Sequence, residues 1–384
     1  MRASTPTWLL GSLAALFILF VGLSLWNLAS TTEFGESDFK IYWSAAYLLS
    51  RGENPYDLEL VRSVQQELAH SITNDQIIAW NPPFLFLFLM PLAGLPFLPA
   101  KFAWLMINLV VIVTAALMLI NIYLRAASPR LKMAFLVFAI SFPAAITGLY
   151  MGQVTFLVFW GLVACLTLIK KEQWFWAGAA LILTTIKPHL VVLPVLYVLV
   201  HMAYQRKYQG WAGLAFAGFA GLAILLMFRS DLIANLLGET SVASGRWATS
   251  TIGGLLSYLG ITEAARFLIL IFIPLPFYLA WHPEKFSVDV SVALLTLITV
   301  PTTIFGWSYD QTILLIPVAQ IFGWLTHSKY RLTLIAGILG VTLLSYIQRV
   351  LPINEVYYVW IPLFWWFLFA VAWRGTSSLK TSYA

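Results

Sequence analysis

The sequence predicts an all-α polytopic membrane protein with about twelve spanning helices and one large polar loop after the first span. Of its 384 residues, 61% are hydrophobic and 10% charged, whereas soluble domains carry roughly a quarter charged residues. The apolar residues form long runs. Trp8 to Leu28, Phe102 to Leu124 and Trp211 to Phe228 approach or exceed the roughly 18 to 20 residues that cross a bilayer as helix. These runs are continuous rather than alternating, which argues against a β-barrel. Lipid offers no partner to exposed backbone groups, so helix is the required form.

Trp8–Leu28 is longer than the roughly 7 to 15 residues of a signal-peptide core and is followed by no convincing small-x-small cleavage site, so it reads as an uncleaved first helix. The polar loop at about 30–101 comes next. Beyond it, charged clusters at Arg125-Arg130-Lys132, Lys170-Lys171, Arg206-Lys207, His282-Glu284-Lys285, Lys329-Arg331 and Arg374-Lys380 punctuate the apolar runs. With Arg2, the connections that carry them hold thirteen of the 22 Lys and Arg and three of the 16 acids, Glu172, Glu284 and Asp289. The positive-inside tendency puts this set, and both termini, in the cytoplasm. The opposite face carries the other thirteen acids, eight of them between Glu33 and Asp75. Pro82 to Pro99 is apolar but holds five prolines, a poor composition for a straight span. It is expected to lie along or dip into the outer surface. The chain, 1–384, reads as a single membrane domain. Its net charge of +6 follows membrane orientation and does not suggest nucleic acid, and the single cysteine, Cys165, allows no internal disulfide.

Polar residues at the ends of apolar runs are costly unless used. Four groups stand out on the predicted outer face. In the first, Ser37-Asp38-Phe39-Lys40-Ile41-Tyr42-Trp43 opens a short amphipathic helix that Gly52 ends, before Asn54-Pro55-Tyr56-Asp57 turns the chain. Asp38 suits an N-cap as well as a reactive site. Gly148 to Gln153 is a tight turn, read either as a glycine-bent hairpin or as part of a site. Lys187-Pro188-His189 breaks one apolar run from the next; a snorkelling lysine is the ordinary reading, an anion contact the functional one. In Trp307-Ser308-Tyr309-Asp310-Gln311 the aromatics suit an interfacial belt, which leaves Asp310 and Gln311 as the pointed signals. No phosphate-binding glycine loop, HExxH or paired Cys/His spacing is present, so the site reads as metal-free and without a cofactor. An acid-rich outer cleft with isolated cations suits an enzyme or a secondary transporter.

The order of these motifs resembles glycosyltransferase family 87. The resemblance runs through Asp38-Phe39-x-x-Tyr42, Ala45-Ala46, Gly52-x-x-Pro55-Tyr56-Asp57, Asn81-Pro82-Pro83, Gly152-Gln153, Lys187-Pro188 and Ser308-Tyr309-Asp310, roughly Asp38 to Pro317. It implies a GT-C fold and transfer of a sugar, mannose first, from a polyprenyl-phosphate donor to a lipid or glycan acceptor. It further implies a plasma-membrane enzyme working on the extracytoplasmic face among membrane lipids. Asp38 matches the catalytic base. The candidate substrate-binding residues are Lys40, Tyr42, Tyr56, Asp57, Gln153, Lys187, His189, Arg246, Asp310 and Gln311. A growing phosphate charge calls for cations, for which Lys187, Arg246, His189 and Arg349 are the candidates. Asn81 stands where Tyr is common and His189 where Gln is often seen. A transporter would place its charges near mid-bilayer between repeats, and a non-catalytic glycolipid-binding or assembly protein would not need Asp38.

Overall fold

A computed structural model describes residues 38–69, 78–240 and 247–376, together with Ala15. But for that one residue, the expected first span lies outside them, and so does Arg246. The described chain is helical throughout, with no strand among the described residues. In order, the helices are α1 (Phe39–Ser50), α2 (Leu58–Glu67), α3 (Phe84–Ala93), α4 (Phe97–Tyr123), α5 (Pro129–Ile140), α6 (Pro143–Met151) and α7 (Thr155–Lys170). They continue as α8 (Trp174–Ala180), α9 (Val192–Tyr204), α10 (Tyr208–Phe228), α11 (Leu232–Thr240), α12 (Ile252–Tyr258), α13 (Pro274–Trp281), α14 (Val288–Thr302), α15 (Leu315–Leu325), α16 (Arg331–Val350) and α17 (Trp360–Gly375). Short 3₁₀ segments link several of them.

Among the described residues, five stretches are long and apolar enough to cross a bilayer: α4, α10, Ala264–Trp281, α16 and Glu355–Gly375. Helices α5 and α6, bent 43° at Ser141-Phe142, would make a sixth. The expected dozen is therefore not reached by helix length. The physical reason is length: the apolar helices on either side of Lys187-Pro188 and of the stretch before Asp310 have only 10 to 17 residues each. Lys187-Pro188 leaves Trp174–Ile186 and α9 as separate pieces, and the stretch before Asp310 separates α14 from α15. Helix α7, with 16 residues, is about 24 Å long, short of the roughly 30 Å hydrocarbon core.

The surface fits lipid. Phe219 is 72% and Met227 84% exposed on α10, and a soluble fold seldom leaves such apolar area uncovered. Small residues allow close helix approach, as is usual in membranes. A Cβ added at Gly213 of α10 would lie 1.8 Å from the Phe175 carbonyl oxygen of α8. One buried apolar cluster extends from Phe39 to Ala372.

The Pro82–Pro99 segment forms α3 and the start of α4, broken at Gly94-Leu95-Pro96. With ten residues, α3 is about 15 Å long and too short to span. It lies against α1, where the Trp43 indole donates to the Leu92 carbonyl at 3.2 Å. Phe39 stacks on Phe97 and Trp104 of α4. These contacts fix the start of α1, where Asp38 sits.

Candidate active site

Asp38 occupies the N-cap position of α1 but does not cap it. Its backbone is already right-handed helical and its side chain accepts no bond from the first-turn amides. Its carboxylate turns instead to the Gln153 side-chain amide, which donates to Oδ2, and to the Tyr309 hydroxyl. The Asp38 side chain is thus held by distant side chains and does not serve as a cap.

Gln153 reaches Asp38 from the turn between α6 and α7. That turn needs glycine: Gly152 ends α6 in the left-handed region, with φ 68°. A Cβ there would also meet the Phe39 Cβ at 2.6 Å. The turn is pinned by the Trp104 indole, donating to the Gly152 carbonyl at 2.8 Å, and by Asn108 Nδ2, donating to the Gln153 carbonyl at 3.2 Å. The Gln153 side chain, fully buried, accepts at Oε1 from Tyr42 at 3.2 Å and from Lys187 at 2.9 Å.

Lys187 stands in the break between the 3₁₀ segment Leu181–Ile186 and α9, with Pro188 preventing a continuous helix. Its buried ammonium donates to Gln153, to Thr155 Oγ1 at 3.2 Å and to Asp310 Oδ1 at 2.8 Å. Those contacts use its three donors. The Thr155 hydroxyl in turn donates to Asp310 Oδ1, and the other Asp310 oxygen accepts from the Trp307 amide at 3.1 Å. The Tyr309 ring lies 5.1 Å from the ammonium. Asp38, Tyr42, Gln153, Lys187 and Asp310, drawn from four distant segments, therefore form one hydrogen-bonded cluster. Burial pushes the Asp38 carboxyl above its ordinary range, while the Lys187 charge and the Tyr309 and Gln153 donors draw it back.

Behind this cluster, Glu355 accepts from the Ser308 amide and hydroxyl at 2.9 Å each, and Arg349 donates to the Ser308 carbonyl at 3.2 Å. Arg349 also donates to Thr147. Two of its guanidinium nitrogens thus brace protein groups.

The other expected residues divide. His189 neighbours the cluster; its Nε2 is buried without a partner, and burial pushes its pKa down to about 4. Tyr56 is a structural pin: its hydroxyl donates to the Asn81 carbonyl at 3.2 Å, and Asn81 Nδ2 donates to the Ile186 carbonyl at 3.0 Å, one residue before Lys187. Asp57 stands apart as the N-cap of α2, accepting from the Glu59 and Leu60 amides at 3.0 and 3.1 Å. Gln311 is buried and donates to the Tyr358 carbonyl at 3.1 Å. Lys40 is buried on α1. Sequence reasoning missed Thr155, Tyr309 and Glu355. By sequence Tyr309 suits an aromatic belt, and its place beside Asp310 is the available signal. Among the described residues no three of His, Cys, Asp and Glu gather as a metal-binding group.

Comparison with curated proteins and with solved structures gave no match. A family model for glycosyltransferase family 87 matches residues 80–304. That stretch carries Gln153, Thr155 and Lys187, and the fold brings Asp38 and Asp310 to it from either side. The match covers more than half of the 384 residues, and the protein, a glycosyltransferase, belongs to glycosyltransferase family 87.

Proposed function

We propose that this glycosyltransferase passes a sugar, mannose first among the candidates, from a polyprenyl-phosphate donor to a lipid or glycan acceptor. The reaction takes place at the outer face of the plasma membrane and inverts the anomeric centre. The whole chain serves as one membrane domain with the GT-C arrangement and about a dozen spans, short helices among them. The reading rests on one observation: the Asp38 carboxylate is withdrawn from helix capping and held by Gln153 and Tyr309 at the head of a cluster that includes Lys187 and Asp310.

In the transfer, the acceptor hydroxyl oxygen bonds to the anomeric carbon as its proton passes to the Asp38 carboxylate. The bond from that carbon to the phosphate oxygen breaks, and the polyprenyl phosphate leaves with the electron pair. Lys187 is the cation closest to these events. Since its three donors are engaged, a donor phosphate that reached it would displace Gln153 or Thr155. His189, neutral near pH 7 and unpartnered at Nε2, is available to a sugar or acceptor hydroxyl.

The test is Asp38→Asn, which keeps size and removes the base. Purified protein is incubated with radiolabelled polyprenyl-phosphate sugars and membrane lipid extract. The variant is expected to extract normally and bind donor while transfer falls by about a hundred- to ten-thousand-fold. Near-normal transfer by well-folded Asp38→Asn would remove the assignment.

A further inference from the structure

The orientation of the Gln153 amide follows from its neighbours, whatever label its two terminal atoms carry. One terminal atom faces the Lys187 ammonium at 2.9 Å. An ammonium donates and cannot accept, so that atom is the oxygen. The same oxygen receives the Tyr42 hydroxyl at 3.2 Å. The NH₂ end then falls on Asp38 Oδ2, where it donates. The backbone cannot relax this arrangement easily, because Gly152 and Gln153 are tied to Trp104, Asn108 and Gly148.

We propose that Gln153 is a positioning residue for the transfer reaction: turned by Lys187, its amide holds the Asp38 carboxylate in one orientation and in its charged form. The sequence offers Gln153 as a substrate contact, but both ends of its side chain are taken by protein groups. A hydrogen bond to the charged form of an acid favours that form. A carboxylate has about four lone-pair sites, so the Gln153 and Tyr309 donors leave room for the acceptor hydroxyl. The charged and titratable groups facing Asp38 are Tyr42 from its own helix, Lys187 from the break before α9, and Tyr309 and Asp310 from the stretch before α15. Of these, Lys187 reaches the carboxylate by hydrogen bonds only through Gln153.

This inference rests on Asp38 being the base, so its test includes a readout that needs no substrate. The full chain, labelled with ¹³C-aspartate, is titrated by infrared spectroscopy in detergent, and the Asp38 carboxyl band is identified by its loss in Asp38→Asn. In Gln153→Met, which keeps volume and removes the amide, Asp38 is expected to titrate about one to two pH units higher. Transfer from polyprenyl-phosphate mannose is expected to fall more than tenfold in kcat with little change in donor KM. Gln153→Glu provides a second variant should Gln153→Met not fold. It keeps the acceptor for Tyr42 and Lys187 but sets a carboxylate against Asp38, so the pair shares a proton and the band again moves upward. An unmoved Asp38 titration in the folded variants, with Asp38→Asn inactive, would reduce Gln153 to a packing role and leave the base assignment standing. A moved titration with normal transfer would also overturn the proposal. Normal transfer by Asp38→Asn would instead remove the base itself.

Discussion

Lys187 and Asp310 form an ion pair whose side chains are only 8% and 2% exposed. Removing one member of such a pair strands the other, typically at about 3–5 kcal/mol, whereas replacing both with apolar groups is often neutral. Lys187→Ala is accordingly expected to unfold at lower temperature in detergent and to transfer little sugar. Lys187→Arg keeps the charge and part of the activity. The double variant Lys187→Met/Asp310→Leu is expected to regain much of the thermal stability but not the transfer, which thermal unfolding and radiolabel assays together would reveal. A double variant that regained both would leave this ion pair without a part in the chemistry. The pH dependence has a definite sign. Because burial raises the Asp38 carboxyl above its ordinary value of 3.8, falling pH protonates the base earlier than it would a free aspartate, and kcat/KM drops on the acid side. His189, held at about 4, stays neutral above about pH 5 and adds no limb there. Asp57 is a control: Asp57→Ala loses the α2 cap, about 1 kcal/mol, with transfer retained.

At the scale of elements, two glycines share a backbone conformation but not a neighbourhood. Gly52, with φ 72°, has open space where a Cβ would go, whereas a Cβ on Gly152, with φ 68°, meets Phe39 at 2.6 Å. Both alanine variants carry the same left-handed strain, about 1–2 kcal/mol. Gly152→Ala alone is expected to shift the start of α1 and with it Asp38. Transfer should therefore fall at least tenfold in Gly152→Ala and hold in Gly52→Ala, measured at matched protein folding. Equal losses would mean that the Phe39 contact has no bearing on the site. The sequence revealed these elements unevenly. Continuous apolar runs made helices in lipid the only reading, and five prolines marked the short α3. The motif order pointed to Asp38, Gln153, Lys187 and Asp310. Thr155, Tyr309 and Glu355 escaped notice because Thr and Tyr beside apolar runs are ordinary, and only the fold sets them against a distant charge. Asp57 is ambiguous for the opposite reason: a carboxylate next to a motif serves equally well as a cap, and here it caps α2. The number of spans was the least legible, because composition marks where apolar runs end but not how many of their residues are helical, and several runs hold helices of only 10 to 17 residues.

For the molecule as a whole, orientation is open to direct test. Cys165 is the sole cysteine and fully buried, so engineered cysteines report with little background. A cysteine at exposed Glu59 is expected to label with an impermeant maleimide on intact cells, and cysteines at exposed Ser128 or Lys207 only after lysis. External labelling at Ser128 would mean that the Pro82–Pro99 region crosses and that the even span count fails. The pairing of Lys187 with Asp310 also bears on how the chain is made. The partners are 123 residues apart, and at about 5 to 20 residues per second of synthesis the lysine emerges roughly 6 to 25 s before its aspartate. During that interval its charge has no permanent counterion. A position at the end of an apolar run, rather than mid-run, lets it wait near water until Asp310 arrives. Biogenesis thus constrains where such a cluster can be built, and the earlier-made cation must sit where a newly inserted helix can still reach the membrane surface.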